Sequence, residues 1–332
     1  MFWSKLLLLP LCLAQSLPDQ GRKALPSIRQ LWQFPGNQTW IENIAVRSNG
    51  QLLISLFSSP ELYQIDPFHP HPTAKLVTTF PQALGILGIV ELEEDVFAVT
   101  KGNFSSATGT VDPGSFSVWK LDLRRSPPAL SRIADVPDAT ILNGITTVKR
   151  GSPVLLVADS MGGVIWRVDA ATGRADVALN TTATQPIAPF PAGFGANGVH
   201  TRRGFLYFTN SDRGFFRVRL RDDGTPTGNV ETLSSFIGAD DFAFGKGAET
   251  YIAAGRNDTV EFFTSAQGLV PLGVANADAP VLLEGNTALA FGRTKRDEQT
   301  LYVTTNGGWS GLVPGTVQVG GRVLAIDLGG GC

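Results

Sequence analysis

Six positions along the sequence place a side chain at the start of an apolar, β-rich run. They are Glu42, Leu84, Asn143, Asn197, Asp240 and Asn286. Five of these six side chains end in a carboxyl or amide group, although strongly apolar sequence follows each one. Carboxylate and amide oxygens suit a hard cation such as Ca²⁺ or Mg²⁺, so the set is a candidate metal or ligand site. The alternative is that these groups hydrogen-bond neighbouring strands and hold water, since buried polar groups need partners.

Two stretches that begin near an Asn-Gly pair are copies of one another. Leu142 to Asp169 and Ala196 to Leu220 each contain a short apolar run, a turn, a β-rich run and a further β run. The two Asn-Gly pairs are 54 residues apart, and weaker copies occur on both sides. Self-similarity at such a period, built from strands alone, indicates a β-propeller.

The repeat predicts an all-β fold, a propeller of six blades. Equivalent start points fall near residues 42, 85, 143, 197, 241 and 286. The last repeat has only three strands, and the unassigned strand from Ile28 to Phe34 can supply its fourth, which closes the ring and removes a long sheet edge. We expect one domain over residues 15–332. In a propeller the inner strands line a central channel, so the six starting residues should converge at one end of it.

Two connections at this end of the channel are long. They run from Gly102 to Gly114 and from Asn306 to Gly320, and the second contains Trp309. Trp40 and Phe57 are further aromatic candidates at the same end. Such loops suit a cover over an organic ligand, and ordinary packing beneath a glycine-rich loop is the alternative.

Several catalytic arrangements are missing from the sequence. The stretch Gly308-Trp309-Ser310-Gly311 lacks the Gly-x-Ser-x-Gly spacing of a nucleophile elbow. There is no His-Glu-x-x-His motif and no phosphate-binding loop. His69 and His71 lie in a proline-rich turn, whereas His200 follows a channel-strand start and is placed to face inward. One histidine without an identifiable nucleophile does not indicate a catalytic triad.

Charge and the N-terminal residues bear on partners and compartment. The 332-residue chain has a formal net charge of −2 and no basic block, which argues against nucleic-acid binding. Residues 1–14 combine Lys5, an apolar run from Leu6 to Leu13 and a small-x-small cleavage site. This pattern predicts a cleaved signal peptide and a secreted protein, with a buried N-terminal strand as the alternative. The apolar run is far shorter than the roughly 20 residues that span a bilayer, so no membrane span is expected.

Four Asn-x-Ser/Thr sequons agree with a secretory route and predict a glycoprotein. Their acceptor residues are Asn37, Asn103, Asn180 and Asn257. Cleavage after residue 14 would remove Cys12 and leave Cys332 as a single thiol. An intramolecular disulfide and a cysteine-based metal or redox site are therefore not expected.

The sequence resembles the gluconolactonase or SMP-30-like six-bladed propellers, and more closely their secreted fungal branch. The resemblance covers nearly the whole mature chain. It is carried by the stretches 40–50 (WIENIAVRSNG), 142–145 (LNGI), 197–198 (NG), 206–211 (LYFTNS), 240–243 (DDFA) and 301–308 (LYVTTNGG).

The lactonases of this family imply one function. They hold a divalent metal through a glutamate, an asparagine and an aspartate, which correspond in motif position to Glu42, Asn197 and Asp240. A further asparagine that contacts substrate corresponds to Asn143. The resemblance thus implies a lactone hydrolase in which Ca²⁺ or Mg²⁺ polarises the carbonyl group and activates water.

The fungal branch implies a second function. Its members resemble hetero-Diels–Alderases of tropolone-sesquiterpenoid biosynthesis, which join a polyketide-derived o-quinone methide to a terpene such as humulene. On this hypothesis no cofactor is required, Asn143, Asn197 and Asn286 donate to the carbonyl group, and Trp40, Phe57 and Trp309 wall the cavity, with Glu42 beside the substrate. A propeller that binds a ligand without catalysis is the third hypothesis.

Overall fold

The computed structural model describes residues 25–105, 108, 110–190, 192–274, 279–308 and 318–329. The predicted signal peptide, Trp309 and Cys332 lie outside these described residues. Among the described residues, no helix is both long and apolar enough to cross a membrane.

The described residues form six four-stranded antiparallel sheets, which are the blades of a propeller. The strands of each blade follow from the channel outwards. Blade 1 contains Ile41–Val46, Leu52–Leu56, Glu61–Ile65 and Lys75–Thr79. Blade 2 contains Gly85–Glu93, Val96–Gly102, Ser117–Asp122 and Ala129–Asp135. Blade 3 contains Leu142–Thr147, Val154–Asp159, Val164–Asp169 and Ala175–Leu179. Blade 4 contains Ala196–Arg202, Phe205–Asn210, Gly214–Leu220 and Pro226–Ser234. Blade 5 contains Phe242–Phe244, Thr250–Ala254, Thr259–Thr264 and Gly268–Pro271. Blade 6 contains Asn286–Phe291, Thr300–Thr305, Arg322–Asp327 and Ser27–Gln33.

Two short elements lie in the connections between these strands. A hairpin of Phe104–Ser105 and Thr110–Val111 occupies the long connection of blade 2, and the helix Ala279–Leu282 precedes blade 6. Both lie at the end of the channel where the inner strands begin, which we call the mouth.

The N-terminal strand closes the ring, as the sequence predicted. Ser27–Gln33 pairs antiparallel with Arg322–Asp327, with Ser27 opposite Asp327 and Gln33 opposite Arg322. Each inner strand also packs against the inner strands of both neighbouring blades, blade 6 against blade 1 included. The chain is therefore a closed six-bladed propeller.

Burial falls from the middle of each blade to its outer edge. In blade 1 every residue of Leu52–Leu56 is buried, whereas Lys75–Thr79 has no buried residue. The second strand is covered on both faces by neighbouring blades, so its apolar run is continuous rather than alternating. This burial stabilises the ring and fixes the inner strands around the channel.

Glycines allow the inner strands to approach one another closely at the mouth. The register of the inner strand of blade 3 shifts between Leu142 and Ile145, a β-bulge that contains Gly144. A Cβ atom on Gly144 would lie 2.5 Å from the carbonyl oxygen of Asn197 in blade 4. Because a side chain would push these strands apart, the glycine after the asparagine maintains the narrow axis.

In blades 1, 2 and 4 a hydroxyl group of the second strand connects the blade to the next channel position. Thr100 Oγ1 donates to the carbonyl oxygen of Asn143 over 3.2 Å, and Ser55 Oγ donates to that of Leu87 over 2.5 Å. Leu87 therefore occupies the channel position in blade 2, and the assignment of Leu84 to it was wrong. Leu84 precedes the inner strand of blade 2 and is exposed, and its backbone N–H donates to the carbonyl oxygen of Gly102 in the second strand of the same blade.

Candidate active site at the propeller mouth

The mouth contains a buried glutamate. Glu42 is 5% exposed, and the indole Nε1–H of Trp40 donates to its Oε2 over 2.5 Å. Burial raises the pKa of Glu42 to about 7, and the charge of Asp241 acts in the same direction. Hydrogen bonds from the side chains of Trp40 and Asn143 oppose this rise. The carboxyl group therefore exchanges its proton near neutral pH.

A second carboxyl group interacts with Glu42 across the mouth. Asp240 is half-buried, and burial raises its pKa well above the usual range. The negative charges of Glu42 and Asp241 raise it further, whereas a hydrogen bond from the side chain of Asn197 opposes the rise. The backbone carbonyl of Asp240 accepts a hydrogen bond from Thr209, which fixes the start of blade 5. The two carboxyl groups thus disfavour each other's ionisation.

Two asparagine amides complete this polar group. Asn143 and Asn197 are buried at equivalent positions of blades 3 and 4. Asn197 Nδ2 donates to Ser211 Oγ over 3.1 Å, and Ser211 Oγ donates to the carbonyl of Ala239 over 2.8 Å. The structure therefore brings Glu42, Asn143, Asn197 and Asp240 together at the start of four inner strands.

A buried aspartate closes the channel beneath this group. Asp241 Oδ2 accepts from Asn43 Nδ2 over 3.0 Å, and its Oδ1 lies 2.9 Å from His200 Nε2. The backbone N–H of Phe242 donates to the same Oδ1. These contacts connect blades 1, 4 and 5 across the axis. With Glu42, Asn143, Asn197 and Asp240 they form a polar floor, and we call this floor and the side chains around it at the mouth the cup. The inward orientation that the sequence suggested for His200 is what the structure shows.

An arc of aromatic side chains forms one wall of the cup. The rings of Trp40 and Phe57 are 5.0 Å apart, and Phe57 stacks on Phe104 at 4.9 Å. Phe104 meets Phe190 edge to face at 5.7 Å, and Phe190 lies 6.4 Å from Phe194. Edge-to-face and offset contacts of this kind stabilise aromatic clusters. The arc extends from blade 1 past blade 2 to the connection before blade 4. It offers an apolar surface that an apolar ligand can contact.

The other predicted site residues fall into three groups. Trp40 and Phe57 lie in the arc, where Phe57 is also part of the buried core. Asn286 is fully buried, and its Nδ2 donates to the carbonyl of Leu283 over 2.9 Å. In strand register it corresponds to Leu142 and Ala196, so its assignment to the channel position was wrong and Thr287 takes that position. Trp309 lies outside the described residues, so its assignment stays a prediction.

Three aromatic residues of the arc were not among the predicted site residues. Phe104 lies in the long connection 102–114 that the sequence flagged, and its residue type is the signal that could have identified it. Phe190 and Phe194 lie in the connection 180–195, whose length and lack of charged residues are a weaker signal. Their contacts with the arc depend on residues far away in the sequence, which no local pattern shows.

The four predicted glycosylation sites differ in accessibility. Asn37, Asn180 and Asn257 are exposed. Asn103 is half-buried, its Nδ2 donates to Asp112 and its Oδ1 accepts from the backbone N–H of Leu84. A glycan on Asn103 would have to break the first of these bonds.

The polar group has the composition of a hard-cation site. The described part of the chain has no cluster of three or more His, Cys, Asp and Glu side chains placed to hold a metal ion. Glu42 and Asp240 nevertheless supply two carboxyl groups with raised pKa values, and Asn197 supplies an amide oxygen. Mutually repelling carboxylates beside an amide match the oxygen donors that Ca²⁺ and Mg²⁺ prefer. Glu42, Asn197 and Asp240 are thus the residues that would hold such an ion.

The fold defines a six-bladed β-propeller. A protein of Phoma sp named "Putative hetero-Diels-Alderase" is 30% identical to the chain, and the match covers 94% of both proteins. A protein of Sarocladium schorii named "Putative hetero-Diels-Alderase asR5" is 32% identical, with 92% of this chain and 84% of that protein covered. The chain therefore belongs to the hetero-Diels–Alderase family. No protein-family model matches it.

Solved structures agree with the fold. The luciferin-regenerating enzyme superposes with a TM-score of 0.63 at 14% identity, covering 91% of this chain and 95% of that one. Virginiamycin B lyase of Staphylococcus aureus superposes with a TM-score of 0.55 at 11% identity, covering 91% and 99%. Identities this low establish the propeller architecture alone.

Proposed function

We propose that the protein catalyses a hetero-Diels–Alder addition between a tropolone-type o-quinone methide and a terpene alkene such as humulene. The observation that carries this proposal is the cup itself, in which a polar floor and an aromatic wall meet at the Trp40–Glu42 hydrogen bond. The quinone methide has a polar carbonyl end, and the alkene is wholly apolar. Each reactant has a matching surface in the cup.

This reaction needs little acid–base machinery. Holding diene and alkene in reacting geometry can lower the barrier by about 7–11 kcal/mol, because the translational and rotational entropy is lost on binding. The rigid propeller provides such a fixed surface through the half-buried rings of Trp40 and Phe190, which pack on the buried rings of Phe57 and Phe104. A catalytic nucleophile and a bound cofactor are not required by this mechanism.

Amide donors stabilise the negative charge that grows on the carbonyl oxygen. Asn143 and Asn197 lie in the floor and take this role, since each carries an N–H group next to a carboxyl group of the cup. A fixed donor in a site that excludes water stabilises developing charge more than a donor in water does. Asn286 takes no donor role in the proposal, because in strand register it corresponds to Leu142 and Ala196, the residues before Asn143 and Asn197.

The rim of the mouth also suits an apolar ligand. The connections 34–40, 57–60, 80–84 and 180–195 at this end contain no charged residue. Connections at the opposite end are charged, as in 292–299, where five of eight residues are Asp, Glu, Lys or Arg. Leu84, Ile187, Ile237 and Val281 are exposed large apolar side chains in the mouth connections. A terpene would therefore approach the cup over these four connections, whereas other mouth connections carry charged residues such as Arg213, Arg256 and Asp258.

Metal-dependent lactone hydrolysis is the second candidate function, and the repelling pair Glu42 and Asp240 is the observation that favours it. A bound Ca²⁺ or Mg²⁺ would act there as a Lewis acid on a carbonyl oxygen. In that case Glu42, Asn197 and Asp240 hold the ion, and Asn143 contacts the substrate.

The Glu42→Gln variant separates the two functions. Purified protein is assayed with and without EDTA for lactone hydrolysis and for adduct formation between humulene and a quinone methide generated in solution. The proposal expects adduct formation that survives both EDTA and the substitution. Lactone hydrolysis that is lost in EDTA and in the variant, with no adduct in any sample, would instead establish the lactonase.

We also propose that residues 1–14 direct the protein into the secretory pathway and that the exposed sequons at Asn37, Asn180 and Asn257 carry glycans. N-terminal sequencing of the protein from a eukaryotic secretion host tests the first statement, and a glycosidase-induced mass shift tests the second. A mature N-terminus at Met1 in the culture medium would contradict the signal peptide.

A further inference from the structure

A compact loop borders the mouth between blades 3 and 4. It runs from Ile187 to Phe194, and the structure describes residues 187–190 and 192–194. Asp212, which is buried, lies at its base. Asp212 Oδ2 accepts from the backbone N–H of Ile187 over 3.0 Å and from that of Phe194 over 2.8 Å. One carboxylate oxygen thus joins both ends of the loop.

The two limbs of this loop pack tightly against each other. A Cβ atom on Gly193 would overlap the carbonyl oxygen of Ala188, so only glycine allows this approach. At the tip, the N–H of Ala192 donates to the carbonyl of Pro189 over 3.0 Å. The turn closed by this bond contains Phe190. This bond therefore ties Pro189, directly before Phe190, to Ala192.

Phe190 is the part of the loop that reaches the aromatic arc. Its ring is half-buried and meets Phe104 of blade 2 edge to face at 5.7 Å. Trp40 lies at the other end of the same arc, beyond Phe57. The loop consequently bounds the apolar wall on the side opposite Trp40.

We propose that Phe190 limits the size of the apolar ligand in the cup and that Asp212 is the positioning residue that holds it there. This inference rests on the proposed function, because it concerns the alkene that the cup takes. The loop is uncharged and its tip is aromatic, so the ligand class at this end is a hydrocarbon ring or chain. Removing the Phe190 ring leaves more room at this end of the wall and should admit a larger hydrocarbon.

The probes are two macrocyclic terpenes of different size, humulene with fifteen carbons and cembrene with twenty. Each protein is incubated with an equimolar mixture and passed through a gel-filtration column, and the retained hydrocarbons are quantified by gas chromatography. The ratio of retained cembrene to humulene is independent of how much protein is folded. It also needs no turnover, so failure of the cycloaddition does not affect this readout.

The Phe190→Ala variant is compared with Phe205→Ala, a matched control. Phe205 is also half-buried, but it begins the second strand of blade 4 at the opposite end of the propeller. Phe190→Ala should raise the cembrene-to-humulene ratio about tenfold, as expected for opening an apolar pocket by several carbon atoms. Phe205→Ala should leave the ratio at the wild-type value.

Asp212 is tested through the same ratio. Asp212→Ala should raise it in the same direction as Phe190→Ala, and Asp212→Asn should restore part of the wild-type preference, because the amide keeps one acceptor oxygen. The control is Asp169→Ala, since Asp169 Oδ1 also accepts two backbone N–H groups but lies at the opposite end. A purely structural role would lower the yield of folded Asp212 variants without changing their preference.

Three results would overturn the inference. They are an unchanged ratio in Phe190→Ala, a change equal to that in Phe205→Ala, and retention of neither hydrocarbon by the wild type. If Phe190→Ala does not fold, Phe190→Leu should give a smaller shift in the same direction, and an unchanged ratio in that variant counts against the inference. Normal retention without any cycloaddition would leave the inference standing and contradict the proposed function alone.

Discussion

The indole Nε1–H of Trp40 donates a 2.5 Å hydrogen bond to Oε2 of Glu42, and the ring centroids of Trp40 and Phe57 are 5.0 Å apart. One side chain therefore belongs to both the polar floor and the aromatic wall. The bond holds the indole at a fixed angle to the floor, because its single N–H has one direction. Floor and wall thus keep a fixed relative geometry, which a reaction between a polar and an apolar partner requires.

The aromatic wall should control affinity for the alkene. Phe104→Ala removes the central ring of the arc, between Phe57 and Phe190. Phe104 is buried and supports the half-buried ring of Phe190. We expect KM for humulene to rise about tenfold or more, since an aromatic contact with a ligand contributes on the order of 1–3 kcal/mol and depends on the position of that ring. Steady-state kinetics at saturating quinone methide measure this change. Phe68→Ala, at the opposite end of blade 1, is the control, and an equal effect of both variants would refute the wall.

The floor amides should act on the chemical step. Asn143→Ala and Asn197→Ala each remove a donor, and we expect about a hundredfold loss in the rate of adduct formation, the usual effect of deleting one fixed donor. Asn286→Ala should lower stability but leave the rate of the folded protein unchanged, because Asn286 lies one residue before the channel position of its strand and its Nδ2 bonds within its own blade to Leu283. Single-turnover rates compare the three variants. Equal losses in all three would contradict the assignment.

Glu42 should make stability depend on pH. Its folded pKa of about 7 exceeds the ordinary value of 4.5, so the folded state keeps the proton after the unfolded chain has lost it. This contribution is fully present below pH about 4.5 and is lost as pH rises through about 7. The loss is on the order of 3 kcal/mol at about 1.4 kcal/mol for each pKa unit.

Urea unfolding in EDTA between pH 4 and pH 8 measures this dependence. Glu42→Gln cannot ionise and should flatten the profile, whereas Glu298→Gln, an exposed control, should follow the wild type. If the wild-type free energy of unfolding does not fall over this range, the pKa of Glu42 is not raised in the folded protein, and the prediction is contradicted.

The closed floor should be important for folding. Asp241→Ala leaves the donors of Asn43, His200 and the Phe242 backbone without their acceptor. We expect a loss of about 3 kcal/mol in the free energy of unfolding, because buried groups that lose their charged partner remain unsatisfied. Urea denaturation measures it. Asp176→Ala removes a partly exposed pair with Arg167 and should cost less than about 1 kcal/mol; similar losses in both would contradict the account.

The architecture could be predicted from the sequence because its signals are local. Asn143-Gly144 and Asn197-Gly198 repeat at the same place in successive blades, and a Cβ atom on either glycine would overlap the neighbouring inner strand. The polar floor followed from the same repeat, since one residue per blade must start each inner strand. Leu84 was assigned wrongly because blade 2 carries the apolar Leu87 at the position where other blades carry a polar group, so no polar residue marked the start of its inner strand.

The remaining features depend on contacts between distant parts of the chain. The bond from Asn43 to Asp241 spans 198 residues, and nothing near either residue indicates its partner. The aromatic arc similarly combines Phe57, Phe104 and Phe190 from three different connections. Residue types at the mouth could be predicted, but their pairing could not, because the closed ring brings them together.

The enantiomeric composition of the adduct tests the central claim most directly. Humulene and a quinone methide generated in solution are combined with the purified protein in EDTA, and in parallel without protein, and the adducts are separated by chiral chromatography. Binding of both partners against one rigid wall and floor predicts faster formation of one enantiomer in excess, and predicts that this excess falls in Asn143→Ala. A racemic adduct formed at the rate of the protein-free reaction would contradict the account.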